Sequence, residues 1–230
     1  MRTPASAGGA GRPAFQVLVL AKEPVAGKVK TRLCPPLSPE AAAVLALAAL
    51  LDTLAAATAS AAARCVLALD GRPGPWLPDG VVVMPQRPGG LGDRLAGAMG
   101  DAWATRPLPM VLIGMDTPQV TAAQLDSAAA ALVGGRAETV LGLAEDGGWW
   151  AIGARRPEPA MFDEVPMSTA RTGAAQRARL DALRLSCAEL AVLRDVDRFD
   201  DAVAVARAHP ATRFAKEVEA LLPAVVGAGG

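Results

Sequence analysis

Residues 15–33 read FQVLVLAKEPVAGKVKTRL, a short apolar run followed at once by a basic loop. The apolar run, with Pro24 and Gly27 soon after it, is typical of a buried strand that ends in a loop. The loop contains four cations and one acid, which are Lys22, Lys28, Lys30, Arg32 and Glu23. Cations crowded after a first strand favour an anionic ligand such as a nucleotide or sugar phosphate, and the alternative is a solvated basic loop.

The Gly-Lys and Lys-Thr pairs of this loop resemble the end of a P-loop, but their spacing excludes one. A P-loop needs an unbroken Gly-Lys-Ser/Thr and a second glycine five residues before it. Lys22 occupies the position of that glycine, and Val29 interrupts the run before Lys30-Thr31. The sequence therefore predicts no P-loop.

Composition limits the classes of partner and the compartment. The chain has 230 residues, 52% of them hydrophobic, with a formal net charge of zero. This composition predicts a folded chain that binds neither nucleic acid nor a membrane surface through bulk charge. The three cysteines lack metal-type spacing and are odd in number, which favours a reducing, cytoplasmic location. His209 is the only histidine, which disfavours catalysis by a histidine base, and we expect it at the surface of a helix end.

The ends of the chain differ in character from its centre. Residues 1–13 and 225–230 predict disordered tails around a single domain at 14–224. The alanine-rich stretch at 41–63 is apolar enough to raise the question of a membrane span. Asp52 lies inside it and would cost about 3 kcal/mol at the centre of a bilayer, so we expect a helix of the protein core.

Strand and helix patterns alternate along most of the chain. The predicted strands are 15–20, 65–69, 81–84, 110–113, 139–143, 151–153 and 190–193. The predicted helices are 39–63, a helix after Gly90, 121–133, 168–185, 199–208 and 211–222. This alternation predicts a three-layer α/β/α domain with a mainly parallel sheet. Ligands of such sheets bind beyond the carboxyl ends of the strands, where the basic loop and several acids are expected to meet.

Two acids are the candidate metal ligands. Asp116 follows a buried strand between Gly114 and Pro118, and Asp146 begins an Asp-Gly-Gly run. Carboxylates facing bound phosphates favour Mg2+ or Mn2+ as the cofactor. The alternative for Asp116 is a turn cap, and the alternative for Asp146 is a simple β-turn between two strands.

Further polar and aromatic residues are candidates for substrate binding or catalysis. Gly92 and Asp93 lie in a glycine-rich turn that would cradle phosphate or ribose, or only cap the following helix. One of two adjacent indoles is expected in the core and the other on a sugar or base, and Trp150 is the candidate for stacking. Asp197 is a candidate catalytic acid, or the acidic start of a helix. Ser168 would contact the acceptor, although a helix cap is the favoured interpretation.

Four segments of the chain resemble the signatures of a family of bacterial GT-A-like transferases. The segments are 21–33, 112–118, 141–150 and 193–197. The family is often labelled glycosyltransferase and is associated with arsenosugar formation. More distantly, the chain is similar to the 2-phospholactate guanylyltransferases. The resemblance implies a nucleotide-diphospho-sugar transferase fold with a metal at Asp116. Four positions depart from the pattern, since the family commonly has Arg at Lys22, Tyr-Tyr at Trp149-Trp150 and Trp at Met167.

Together these features predict a metal-dependent transferase with an activated nucleotide donor, and a nucleotide-sugar glycosyltransferase is the first interpretation. Asp116 would place the metal, and Asp146 or Asp197 would orient or deprotonate the acceptor hydroxyl. The predicted binding residues are Lys22, Gly27, Lys30, Arg32, Gly92, Asp93, Gly147, Gly148 and Trp150. The alternatives are a nucleotidyltransferase acting on a small phosphorylated acceptor and a non-catalytic nucleotide-binding module. The expected partners are a nucleotide or nucleotide-sugar donor and a small-molecule acceptor, and a homodimer remains open.

Overall fold

The computed structural model describes residues 14–227, and a seven-stranded mixed sheet forms its centre. The strands are β1 (Gln16–Lys22), β2 (Arg64–Asp70), β3 (Val81–Pro85), β4 (Met110–Gly114), β5 (Thr139–Leu143), β6 (Trp149–Ala154) and β7 (Cys187–Glu189). Their spatial order is β3-β2-β1-β4-β6-β5-β7. β6 is antiparallel to β4 and β5, and the other pairs are parallel, so the predicted mainly parallel sheet is confirmed.

Six α-helices accompany this sheet in the part of the chain that the structure describes. They are α1 (Pro39–Ala59), α2 (Leu91–Thr105), α3 (Ala122–Val133), α4 (Thr172–Ala182), α5 (Phe199–Ala208) and α6 (Arg213–Gly227). α6 includes residues 225–227, which the sequence places in the C-terminal tail. The predicted tails at 1–13 and 228–230 lie outside the described residues, and the single domain at 14–224 stays a prediction.

Capping residues confirm the starts of two helices. Ser38 Oγ accepts a hydrogen bond from the Ala41 amide at 3.2 Å, with Pro39 at the first helical position. Thr121 and Gln124 form a reciprocal capping box at the start of α3. A side-chain oxygen that accepts an otherwise unpaired amide fixes the first turn of a helix, which is why local sequence predicts these starts.

Several predicted boundaries are wrong, including both ends of α4 (Thr172–Ala182 rather than 168–185) and of α6 (Arg213–Gly227 rather than 211–222). α1 ends at Ala59 rather than residue 63, with Ser60 as its C-cap. α4 begins at Thr172 rather than 168, because Ser168 has a left-handed backbone with φ of 58°. The last strand is β7 at 187–189 rather than 190–193. Residues 190–193 continue beside β5, where Leu190 and Leu193 donate to backbone carbonyls of Leu141 and Leu143, but they form an isolated bridge between Leu193 and Ala144 rather than a strand.

Alternate residues of the strands define the two faces of the sheet. Val17 and Val19 of β1 face α1 and α3, whereas Leu18 faces α2 and α4. A third apolar cluster joins the outer side of α1 to α5 and α6. The molecule is therefore a three-layer α/β/α structure, with α5 and α6 packed outside the layer that contains α1.

α1 is long and apolar enough to span a bilayer by length and composition, but it is a core helix in this fold. It packs between the sheet and α6. Asp52 of α1 is 11% exposed and accepts hydrogen bonds from the amides of Arg213 and Phe214, at 3.2 and 2.8 Å. The one acid in the middle of α1 thus caps the start of α6.

Candidate functional site

Two adjoining cavities open at the carboxyl edge of the parallel strands. Their volumes are about 450 Å³ and about 340 Å³. They share six lining residues, Leu20, Arg32, Leu91, Asp116, Ser168 and Asp197. The two cavities form one continuous site at the edge where the sequence predicts it.

The smaller cavity is the basic cavity. Five cationic side chains and two carboxylates line it, an excess of three positive charges, and they are Lys22, Lys28, Lys30, Arg32, Arg94, Asp116 and Asp197. The three predicted phosphate-binding cations, Lys22, Lys30 and Arg32, are among them. Gly27 does not line either cavity. It has φ of 74°, which makes it a turn residue of the basic loop.

The larger cavity is the acidic cavity. Four carboxylates and one cation line it, and they are Asp116, Asp146, Asp195, Asp197 and Arg32. Leucine, tryptophan and methionine side chains form much of its remaining wall, with Ser168, Thr169 and Thr172 between them. The site is therefore divided into a basic half and an acidic half with apolar walls.

Three of the carboxylates form a compact cluster. One oxygen from each of Asp146, Asp195 and Asp197 lies within 4.8 Å of the others. The pKa of Asp195 is raised to about 6, first by burial and then by the negative charge of Asp146 and other nearby carboxylates. Carboxylate oxygens are the ligands that Mg2+ and Mn2+ prefer, so these residues fit a divalent cation.

Asp195 is the residue of this cluster that the sequence prediction omits. In the run Asp195-Val196-Asp197, Val196 is fully buried and the two acids on either side of it are half-buried. Alternate residues of an extended segment point the same way, so the spacing of the two acids was the available signal. Asp197 precedes α5, and it is Asp201 that caps that helix by accepting a hydrogen bond from the Arg198 amide.

Asp116 is held by a cation. Its Oδ1 forms an ion pair with Lys30 Nζ, which also donates to the carbonyl oxygen of Val196. The Lys30 side chain is only 7% exposed, whereas that of Asp116 is 47% exposed, so the contact is covered on the lysine side. Asp116 is not in the three-carboxylate cluster found among residues 14–227, and its role as a metal ligand stays a prediction.

Arg32 joins the two cavities through a more exposed contact. Its Nη1 donates to Asp197 Oδ2 at 2.6 Å, and the two side chains are 61% and 37% exposed. Exposed ion pairs of this kind contribute about 0–1 kcal/mol to stability. Arg32 can therefore exchange this partner for another anion at little cost.

A tight hairpin turn positions Asp146. The Gly148 amide donates to Asp146 Oδ1 at 2.7 Å, so the predicted β-turn is present together with the cluster. Gly147 has φ of 89°, and a Cβ there would lie 2.1 Å from the carbonyl oxygen of Ala170. The close approach that requires glycine at 147 is therefore made by the segment before α4. Gly148 does line the acidic cavity.

The two adjacent indoles differ in burial. Trp150 is 3% exposed and its Nε1 donates to the Ala191 carbonyl at 3.0 Å, so it packs in the core. Trp149 is half-buried, and both indoles line the acidic cavity. Trp149 is the more exposed of the two, and the stacking role of Trp150 stays a prediction.

The glycine-rich turn before α2 serves mainly as a cap. Asp93 Oδ2 accepts a hydrogen bond from the Gly90 amide at 2.9 Å, and neither Gly92 nor Asp93 lines the two cavities. Their substrate-binding roles stay predictions. Thr169 Oγ1 accepts from the Arg171 amide at 3.2 Å within the turn before α4, but the N-cap residue of α4 is Arg171, which makes no side-chain cap hydrogen bond, so the expected cap by Ser168 is wrong. Ser168 lies where the cavities meet.

Comparison with known proteins supports the fold. The model of a family described as "Uncharacterized protein conserved in bacteria (DUF2064)" matches residues 40–169, which is more than half of the chain. No curated protein matches the chain.

Solved structures are similar over most of the chain. A protein of Desulfovibrio desulfuricans G20, described as a "putative nucleotide-diphospho-sugar transferase", is 23% identical with a TM-score of 0.84, covering 94% of this chain and 98% of that one. A cytidylyltransferase of Leptospira borgpetersenii serovar Hardjo-bovis (strain JB197) is 13% identical with a TM-score of 0.54, covering 93% and 97%. At these identities the similarity shows the fold, and it confirms the predicted nucleotide-diphospho-sugar transferase type.

Proposed function

We propose that this chain, which belongs to the bacterial family whose model matches residues 40–169, is a metal-dependent transferase with an activated nucleotide donor. One observation carries the proposal, and it is the pair of adjoining cavities with opposite charge. A nucleotide donor brings negative phosphates and a divalent cation to one place, and a surface divided in this way complements both. We propose a nucleotide sugar as the donor and glycosyl transfer as the reaction.

In this proposal the donor phosphates lie in the basic cavity. Arg32 can hold two phosphate oxygens through its planar guanidinium, and Lys22 supplies a point charge. Lys30 reaches a phosphate only by loosening its covered contact with Asp116. Phosphate binding and the position of Asp116 are therefore coupled.

Asp146, Asp195 and Asp197 would hold Mg2+ or Mn2+ in the acidic cavity. The support is their clustering and the repulsion among them, which a divalent cation would neutralise. Asp116 remains our candidate for a further ligand once Lys30 has moved to a phosphate. A divalent ion bound here would stabilise negative charge on the leaving nucleotide.

The acceptor is proposed to enter the acidic cavity beside Trp149. The indole offers an apolar face against which a sugar or base can stack. Asp146 or Asp197, whichever is not bound to the ion, would orient the acceptor hydroxyl or take its proton. Ser168 lies at the boundary between the donor and acceptor regions.

A nucleotidyltransferase is the second candidate, and one observation favours it. The basic cavity has an excess of three positive charges, which suits a triphosphate better than a diphosphate. In that reaction an acceptor oxygen attacks the α-phosphorus, the bond to the bridging oxygen breaks, and pyrophosphate leaves. Pyrophosphate release therefore distinguishes the two reactions.

Thermal unfolding with a panel of nucleotides and nucleotide sugars, with and without Mn2+, tests the proposal. A ligand at one hundred times its Kd adds about 2.7 kcal/mol to the stability of the folded state. For a chain of this size we expect a rise in Tm of roughly 5–10 °C. A Mn2+-dependent rise with one nucleotide sugar supports glycosyl transfer, and a rise only with a triphosphate supports the second candidate.

Turnover then separates an enzyme from a binding module. The donor identified by unfolding is incubated with acceptor pools, and release of nucleotide or pyrophosphate is measured. We expect Asp197→Asn to lose this turnover, with Asp79→Asn, an exposed acid outside both cavities, as the matched control. Binding of no nucleotide at all, or unchanged turnover in Asp197→Asn, would refute the proposed mechanism.

A further inference from the structure

Arg94 is a cation in the wall of the basic cavity that the preceding proposal leaves without a role. It lies in the first turn of α2 and its side chain is 21% exposed. A helix N-terminus carries partial positive charge from its unpaired amides, so a cation there is electrostatically unfavourable. We therefore expect a negatively charged group close to the Arg94 guanidinium.

The described residues supply only part of that negative charge. Arg94 Nη1 contacts Asp70 Oδ2 at 3.2 Å and Gln86 Oε1 at 3.3 Å, which are long distances for charge-assisted hydrogen bonds. Arg94 Nε is buried, and within residues 14–227 it has no hydrogen-bond partner. Of the five N–H donors of the guanidinium, the described residues thus use only part, which leaves donor capacity for an anion in the cavity.

Gln86 holds this arginine in place. Its Nε2 donates to the carbonyl oxygens of Ala21 and Ala68, at 2.8 and 2.9 Å. These are the backbones of β1 and β2, so the amide group is fixed across two neighbouring strands. Its Oε1 is thereby directed at Arg94, and both side chains line the basic cavity.

We propose that Arg94 is a substrate-binding residue that donates to a phosphate oxygen of the donor, with Gln86 as its positioning residue. The anion is named a donor phosphate only because of the proposed function, whereas oxyanion binding follows from the cavity itself. Lys22, Lys28 and Arg94 line one cavity, and an oxyanion among them offsets both their mutual repulsion and the charge of the helix terminus.

Titration calorimetry with inorganic pyrophosphate, without metal and at low salt, tests Arg94 directly. Wild type is compared with Arg94→Gln, Arg94→Lys and Arg87→Gln. Arg87 is the matched control because it lies just before the same helix, pairs with Asp101 and lines neither cavity. Charge-assisted hydrogen bonds are the strong ones, so we expect Arg94→Gln to raise the Kd roughly ten- to one-hundred-fold.

The other variants test separately the planar shape of the Arg94 guanidinium, its positive charge and its positioning by Gln86. Arg94→Lys keeps the charge without the planar fork, so we expect a smaller rise in Kd. Arg87→Gln is expected to bind within about twofold of wild type, since its partner lies outside the site. Gln86→Leu removes the group that directs Arg94, and we expect it to weaken pyrophosphate binding in the wild type but not in the Arg94→Gln background.

The possible outcomes bear on different conclusions. Wild-type affinity in Arg94→Gln, or no binding of pyrophosphate to the wild type, would overturn the role of Arg94. The Tm of each variant is measured together with its affinity for pyrophosphate. Wild-type affinity in Arg94→Gln overturns the proposed role of Arg94 whatever the Tm of that variant. Pyrophosphate binding that depends on Arg94, with no binding of any nucleotide, would support this inference and refute the proposed function.

Discussion

Asp195→Asn is predicted to make the metal-free protein more stable, although it removes a residue of the proposed metal site. In the folded protein the pKa of Asp195 is raised from 3.8 to about 6, by burial and then by nearby carboxylates. An increase of about two pH units corresponds to about 3 kcal/mol. Asp195 is half-buried, so solvent screening reduces the expected gain to about 1–2 kcal/mol.

The sign of this effect sets its dependence on pH. The folded-state pKa lies above that of the unfolded chain, so ionisation of Asp195 opposes folding. The penalty is absent below about pH 4, grows between pH 4 and pH 6, and is complete above that range. We therefore expect the variant to exceed the wild type in Tm by about 2–8 °C at pH 8, with little difference at pH 4.

Thermal unfolding at both pH values, with and without Mn2+, measures the prediction. Asp79→Asn is the control, since this exposed acid lies outside both cavities and is expected to change neither value. Added Mn2+ is expected to stabilise the wild type more than Asp195→Asn. A variant less stable than wild type at pH 8 without metal would refute the repulsion argument, and an equal response to Mn2+ would refute the ligand role.

Three further predictions concern the fold. Gly147→Ala is expected to lower the free energy of unfolding, measured in urea, by more than about 2 kcal/mol, because its Cβ would lie 2.1 Å from the carbonyl oxygen of Ala170. Gly27→Ala has no neighbour within 4 Å and is expected to cost only the left-handed backbone penalty of about 1–2 kcal/mol. Equal losses in the two variants would contradict the clash at residue 147. Asp52→Ala removes the cap of α6 and is expected to cost about 1–2 kcal/mol in the same assay, while an unchanged value would show that the cap is dispensable. Burial raises the pKa of the Cys65 thiol to about 12, so we expect iodoacetamide at pH 8 to leave this thiol unmodified in the native protein and to alkylate it in urea. Peptide mass spectrometry measures the modification, and rapid alkylation of the native protein would contradict the prediction.

Local signals account for the parts of the fold that the sequence predicts correctly. β5 is an apolar run, and Thr121 and Gln124 form a capping box, so both elements are encoded within a few residues. β7 has only three residues and no apolar pattern, since parallel pairing with β5 decides its position. Such a long-range pairing is not visible in a local window, which explains the misplaced last strand.

The candidate site likewise has features that the sequence predicts and features that it does not. The rule that ligands lie beyond parallel strand ends brings the basic loop and the acids to one edge, as predicted. It does not show which acid each cation contacts. Lys30 contacts Asp116, and Asp195 joins Asp197 in the cluster, because of distances between loops that the sequence does not encode locally.

The position of α5 and α6 over α1 has a consequence for biosynthesis. α1 is complete at Ala59, but α6, which covers its outer face, begins at Arg213. A ribosome that adds about 5–20 residues per second needs roughly 8–30 s to make the intervening chain. During that interval an apolar helix of membrane-spanning length lacks its cover. A nascent or truncated chain therefore exposes an apolar surface of the kind that chaperones bind, and that surface is covered when the last helix docks.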